Sequence, residues 1–227
     1  KNFNPSPGKL SQMTIPNSTE NRLDTAIDSE IEITTSYDSL IAKVIVHRNT
    51  RDEAMDSMTE VLKKTALFGI ETNIPYLIEI LKYPDYRNNN FFTTFIDTEH
   101  FTLVKSLNKN RSNGLKDIAI GSYALLEMQN SSVSKKRSGN PWLDSGYWRA
   151  VSIFRVKVDE KEYLYEFEPQ GQSDIIVKNK NSEHLVKNIE ESNEKLVLEI
   201  DSKQATVIWN RTSEGIELSV EGSNFQL

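Results

Sequence analysis

The sequence predicts an α+β protein in two parts: a mixed α/β part, then a helix and an antiparallel sheet curled into a barrel or sandwich. In the first part, Thr50 and Glu53 have the spacing of a capping box that opens an amphipathic helix. After Pro141, apolar and polar residues alternate in short runs, which is the period of strands with one buried face. Between the two patterns lies the polar segment 108–113. We therefore predict domains at 1–107 and 114–227 that this segment links.

The first part opens with a turn and short strands. Pro7 fixes its own φ angle and Gly8 permits backbone conformations that other residues avoid, so the segment "PSPGKL" is predicted to turn. Strands are predicted at 9–15, 22–27 and 36–46.

Two helices are predicted next. The first covers 49–69, with Gly69 at its end and with Ala54, Met58, Val61 and Leu62 on one face. The second begins near Asn73 and is stopped by Pro84, because proline cannot continue a helix. Its predicted buried side consists of Leu77, Ile78 and Leu81.

The second part begins with a predicted helix at 115–128, whose candidates for burial include Ile118, Leu125 and Met128. Six alternating runs follow, separated by polar or glycine-containing turns: "WRAVSIFRVKV", "EYLYEFE", "DIIVKN", "KLVLEID", "ATVIWN" and "GIELSV". Regularly spaced runs of this kind favour an antiparallel sheet that curls on itself.

Composition excludes several classes of function. The 227 residues carry a net charge of -6, which argues against a general nucleic-acid binder, since phosphate binding needs an excess of Lys and Arg. With no cysteine, disulfides, thiol catalysis and zinc–thiolate sites are excluded. The three histidines, His47, His100 and His184, lack metal-ligand spacing, so we expect no metal site and place each at the surface or at the end of an element. No apolar run is long enough to span a bilayer, so we expect no membrane span.

The order of motifs over residues 1–106 resembles the C-terminal subdomain of biotin carboxylase. The segments that carry the resemblance are "NPSPGKL", "RLDTAI", the long stretch from "YDSLIAKVIVHRNTRDEA" to "ALFGIETNIPYLIEIL", and "NNNFFTTFID". Residues 114–227 resemble the domain that joins carboxylase to biotinyl carrier in acyl-CoA carboxylase α subunits, most closely the methylcrotonyl-CoA type, with "NPWLDSGYWR" at the entry to the sheet. In that family the joining domain, called the BT domain, is a helix embraced by an antiparallel β-barrel.

The resemblance implies a parent enzyme, a ligase that carboxylates biotin and then an acyl-CoA. It implies biotin, ATP and magnesium as cofactors, and as partners a carboxyltransferase β subunit and the biotinyl carrier domain of the same chain in a hetero-oligomer. The sequence has neither a glycine-rich phosphate loop nor a lysine between two methionines. Since it also starts at Lys1, we expect an inactive fragment that supports the biotin site and docks the β subunit.

The resemblance places Tyr37 and Asp38 next to biotin, where the carboxylate can accept a hydrogen bond from a ureido N–H. Counting alternate positions from Asp38 puts Leu40, Ala42, Val44 and Val46 on one face, so the acid heads an apolar row. The alternative is an aspartate that caps its own backbone in a turn.

Four residues are candidates for a subunit interface. Arg22 shares a strand face with Asp24 and either pairs with it or contacts a second subunit. Trp142, Trp148 and Arg149 are residue types enriched at interface hot spots, although Trp148 can equally belong to the barrel core.

A rival hypothesis is a scaffold protein that kept the carboxylase subdomain but lost catalysis. For the leading hypothesis, the expected location is a bacterial cytoplasm, with the mitochondrial matrix as the alternative.

Overall fold

The structure, a computed structural model, describes residues 6–16, 21–27, 31–34, 38–133, 152–158, 161–171, 173–192, 194–213 and 215–227. The chain divides into two compact units. The first comprises Lys1–Asn113 and Glu221–Asn224, and the second comprises Gly114–Val220 and Phe225–Leu227.

Three antiparallel strand pairs form the β part of the first unit. They join β1 (Gly8–Lys9) to β4 (Glu32–Ile33), β2 (Gln12–Thr14) to β6 (Ala66–Phe68), and β3 (Asn21–Thr25) to β5 (Ala42–Val46). The strand predicted at 9–15 is thus two short strands, and the strand predicted at 36–46 begins only at Ala42.

Helix α1 spans Arg51–Lys63 and starts with the predicted capping box. The backbone N–H of Glu53 donates to the Thr50 hydroxyl at 3.3 Å, and the Glu53 carboxylate accepts from the N–H of Thr50 at 3.2 Å. Each side chain therefore satisfies a backbone donor that the first turn of a helix leaves without a partner.

The predicted end of this helix at Gly69 is wrong. The backbone N–H of Thr65 donates to the carbonyl of Leu62 at 3.1 Å, and the Thr65 hydroxyl donates to that of Val61 at 2.8 Å. The chain then continues as strand β6, whose three residues are all buried. A short buried apolar run has no period that distinguishes a helix from a strand, so pairing with β2 decides its structure.

Three further helices complete the first unit: α2 (Ile74–Lys82), α3 (Pro84–Arg87) and α4 (Phe95–Asn110). Helix α2 starts and stops near the predicted residues, but its buried side chains are Ile74, Tyr76 and Ile78, whereas Leu77 is exposed. The main apolar core of the unit consists of Leu10, Leu62, Leu67, Ile70, Ile74 and Ile78.

Segment 108–113, predicted as a linker, is helical. Helix α4 ends at Asn110, a π-helical turn covers Arg111–Leu115, and α5 (Lys116–Val133) follows. A polar segment of asparagine, serine and lysine does not exclude a helix. These residues keep the backbone N–H that a helix needs, which only proline lacks.

Among the described residues, the second unit contains an antiparallel sheet of eight strands in chain order, which confirms the antiparallel sheet predicted after Pro141. Helix α5 contacts five successive strands, β9 to β13. Residues of every strand from β7 to β14 pack with α5 in one apolar core, as in a sheet that curls around a helix. The strands are β7 (Ser152–Val158), β8 (Lys161–Gln170), β9 (Asp174–Lys178), β10 (Glu183–Glu191), β11 (Lys195–Ile200), β12 (Lys203–Thr212), β13 (Gly215–Val220) and β14 (Ser223–Gln226).

The core of the second unit lies between α5 and the concave face of the sheet. Its completely buried members include Ile120 and Leu125 of α5 and Leu196, Leu198 and Leu218 of the strands. Gly121 allows the close approach, since a Cβ atom there would lie 2.9 Å from a methyl group of Val186. Strands β10 and β14 were not among the six predicted runs.

Candidate functional site

Asp38 precedes strand β5 and is exposed. Within the strand, Ala42, Val44 and Val46 are half-buried and the residues between them are exposed, as the predicted alternation requires. The apolar row does not extend to Asp38, however, because Leu40 is 58% exposed. The carboxylate thus stands outside the buried face of the strand.

Contacts from β3 fix the chain where it enters β5. The hydroxyl of Thr25 donates to the carbonyl of Ile41 at 2.9 Å and accepts from the N–H of Ile27 at 3.1 Å. Among the described residues, the Asp38 carboxylate has no hydrogen-bond or ion-pair partner. The segment that carries the carboxylate is anchored at Ile41, three residues downstream. Tyr37, its predicted companion, lies outside the described residues.

Arg22 and Asp24 form a bidentate pair on the exposed face of β3. The guanidinium donates to the two carboxylate oxygens, from Nε at 2.7 Å and from Nη2 at 2.9 Å. This hydrogen bonding is the largest of the effects that lower the pKa of Asp24 below its ordinary value. The predicted structural pair is present, and a contact of Arg22 with a second subunit stays a prediction.

The same face continues across to β5. Register places Lys43 opposite Asp24 and Ile45 opposite Arg22, and Ile45 is 45% exposed. Ile45 is thus an exposed aliphatic side chain beside three charged ones. Another protein segment can cover this surface without leaving a charge buried and unpaired.

Two of the predicted motifs meet in the first unit, "SPG" at 6–8 and "GIETN" at 69–73. The backbone N–H of Glu71 donates to the hydroxyl of Ser6 at 3.3 Å. A Cβ atom on Gly8 would lie 2.5 Å from the carbonyl oxygen of Gly69, and Gly69 itself has a φ of +91°. Glycine is required at both positions because the two backbones approach too closely for a side chain.

The remaining interface candidates, Trp142, Trp148 and Arg149, lie outside the described residues. Among the residues that the structure does describe, no group of three or more His, Asp or Glu side chains could hold a metal ion. In the same part of the chain, no helix has the length and apolar character that a bilayer span requires.

Sequence reasoning missed one cluster of titratable groups, in the second unit. His184, expected at the surface or at the end of an element, lies between two carboxylates and its side chain is only 18% exposed. Its Nδ1 atom is 2.6 Å from Asp201 Oδ2, and its Nε2 atom is 3.7 Å from Asp117 Oδ2. Positions 117, 184 and 201 are too far apart in the chain for spacing alone to bring them together.

Comparison with known proteins concerns the first unit. Residues 1–98 match the family described as the biotin carboxylase C-terminal domain. Biotin carboxylase 1 of Bacillus subtilis is 39% identical over 98 residues, which are 43% of this chain and 22% of that protein. The 2-oxoglutarate carboxylase small subunit of Hydrogenobacter thermophilus is 38% identical over 100 residues, 44% of this chain and 21% of that protein.

Among solved structures, the biotin carboxylase domain dimer of the Hydrogenobacter thermophilus 2-oxoglutarate carboxylase, in complex with MgADP, ADP and bicarbonate, is 35% identical. The likeness covers 44% of this chain and 22% of that one, with a TM-score of 0.43. The chain thus spans about a fifth of the length of these relatives.

Proposed function

We propose that the chain is part of the α subunit of a biotin-dependent acyl-CoA carboxylase, of the methylcrotonyl-CoA type. In this proposal the first unit forms one side of the biotin site, and the second unit is the BT domain that docks a carboxyltransferase β subunit. The match of residues 1–98 to the biotin carboxylase C-terminal domain is the observation that carries the proposal.

The exposed position of Asp38 supports its assignment to the biotin site. A carboxylate that has no recorded partner among the described residues can accept a hydrogen bond from the N–H of a ureido ring. Such a bond to a charged acceptor orients the ring, so that its other nitrogen meets the activated carboxyl group. Biotin supplies that nucleophilic nitrogen when it is bound.

An exposed aliphatic side chain beside Asp38 supports a covering domain. Leu40, two residues after Asp38, is 58% exposed. In the proposal, the rest of the carboxylase covers this side chain and closes the site around biotin. We assign ATP and magnesium to that missing part, because this sequence has no glycine-rich phosphate loop.

Docking by the second unit is supported by the residues around its first strand. Trp148 and Arg149 precede β7 by only a few residues. On β7 and β8 the aliphatic side chains of Ile153 and Leu164 are 64% and 57% exposed. Tryptophan and arginine are enriched at protein interfaces, and the two exposed aliphatic side chains add apolar surface.

The test uses the complete protein that contains this chain, purified together with whatever co-purifies. The proposal expects ATP-dependent fixation of bicarbonate onto biotin, and a partner subunit with carboxyltransferase activity toward 3-methylcrotonyl-CoA. A complete protein that binds partners but fixes no bicarbonate would instead establish the scaffold hypothesis.

A further inference from the structure

Three titratable side chains of the second unit meet in one place. Asp117 lies in the first turn of α5, His184 in β10, and Asp201 in the turn between β11 and β12. The imidazole of His184 lies between the two carboxylates. Its Nδ1 atom is 2.6 Å from Asp201 Oδ2, and its Nε2 atom is 3.7 Å from Asp117 Oδ2. The side chains of His184 and Asp117 are only 18% and 19% exposed, so this contact is largely shielded from water.

The second contact of the His184 imidazole lacks a proton. A neutral imidazole carries a single N–H, and the short contact places it on Nδ1, where it donates to Asp201. The Nε2 atom is buried without a hydrogen-bond partner and then presents a lone pair toward the Asp117 carboxylate. One further proton, on Nε2 or on the Asp117 carboxyl group, turns this repulsion into attraction.

The surrounding groups favour uptake of that proton. Burial is the largest effect on Asp117 and raises the pKa of its carboxyl group, and Asp201 adds to the increase. The charges of His184 and Lys116 act against it, and the Lys116 ammonium group lies 4.6 Å from the centre of the Tyr163 ring. From β8, burial and more weakly Asp117 raise the pKa of Tyr165. From β9, register places the uncharged Val177 opposite His184.

We propose that Asp117, His184 and Asp201 form a pH-sensitive latch, which ties the first turn of α5 to the β11–β12 turn when the cluster holds the additional proton. The latch loosens when that proton is lost.

The direction of the effect follows from linkage. A carboxyl group whose pKa is higher in the folded than in the unfolded state binds protons on folding. Its contribution to stability is complete below the ordinary carboxyl pKa of 3.8 and is lost as pH rises through the folded-state pKa. The contribution of Asp117 to the stability of the second unit is therefore larger near pH 4 than at neutral pH.

The test compares unfolding equilibrium constants of the full chain between pH 4 and pH 8, for the native sequence and for Asp117→Asn. The asparagine amide can donate to Nε2 without an added proton, so the variant should lose the pH response. The ratio of unfolding constants at pH 8 and pH 4 should be about tenfold smaller in the variant, the size of one hydrogen bond to a charged group. His184→Gln should reduce the ratio in the same way.

Glu199→Gln is the matched control, since it removes a carboxylate that pairs with Lys187 at 2.7 Å on the same sheet. That variant should keep the native ratio. A local readout is nuclear magnetic resonance of the Asp117 carboxyl carbon, whose response to pH should change in His184→Gln. An unchanged response, or a native ratio in Asp117→Asn and His184→Gln, would overturn the latch.

Discussion

The carbonyl oxygen of Lys9 lies only 2.0 Å from the point where a Cβ atom on Gly69 would be. This approach holds the turn that contains Gly8 against the end of β6 and packs Leu10 into the core of the first unit. The neighbour is backbone, which cannot rotate away, and the φ of Gly69 is +91°. Position 69 therefore admits only glycine, and it does so for two independent reasons.

We predict that Gly69→Ala lowers the free energy of unfolding of the first unit by about 3 kcal/mol or more, since a backbone clash adds to the strain of a positive φ. Denaturant unfolding measures the loss. Gly114→Ala, at the first residue of the second unit, is the control and should leave unfolding of the first unit unchanged, because a Cβ atom at position 114 meets nothing within 4 Å. Equal effects of the two substitutions would show that the close backbone approach does not exist in solution.

The capping box of α1 leads to a second prediction. Thr50→Ala removes the hydroxyl that accepts from Glu53 and should cost about 1 kcal/mol of stability. Thr94→Ala is the matched control, because Thr94 precedes α4 without a capping hydrogen bond from its side chain. Thermal unfolding of both variants checks the difference, and an effect at Thr94 as large as that at Thr50 would argue against the cap.

Contact between α5 and β10 gives a third prediction. Gly121→Ala pushes a methyl group against Val186, which is completely buried, and such overpacking should cost about 1–3 kcal/mol. Val186→Ala makes room for that methyl group but leaves a cavity when made alone. The double variant should therefore be more stable than the sum of the single effects predicts. Additive losses in chemical denaturation would mean that the two residues do not touch.

Sequence patterns predicted the parts of this fold in which local signals agree with the tertiary structure. The capping box at Thr50 fixed the start of α1, and alternation revealed most of the sheet in the second unit. Strand β6 was missed because a buried run of three residues has no period. Strand β10 was missed because only Val186 along it is fully buried, among polar residues.

The candidate site was only partly predictable. Asp38 was selected by resemblance, whereas its exposure follows from the late start of β5 at Ala42, which no local residue dictates. The contact of His184 with Asp117 and Asp201 depends on the curvature of the sheet around α5. Curvature is a property of the whole sheet, so neither spacing nor composition could reveal it.

A fourth prediction concerns docking. In the complete protein, Trp148→Ala should reduce the amount of carboxyltransferase β subunit that co-purifies, because hot-spot tryptophans carry a large share of interface energy. Phe92→Ala is the control, since Phe92 is an aromatic residue in the first unit that is 79% exposed. Full retention of the partner by Trp148→Ala, with reduced stability of the second unit, would place Trp148 in the barrel core instead.

The central claim is that Asp38 accepts a hydrogen bond from biotin in a carboxylase. Its most direct test is the ATP-dependent rate of biotin carboxylation by the complete protein, with Asp38→Asn compared with Asp97→Asn, a substitution at an exposed position of α4. Loss of a hydrogen bond to a charged group should lower kcat/KM for biotin about 10- to 100-fold in Asp38→Asn. Asp97→Asn should keep the native value. Native kcat/KM in Asp38→Asn, with the fold intact, would contradict the account.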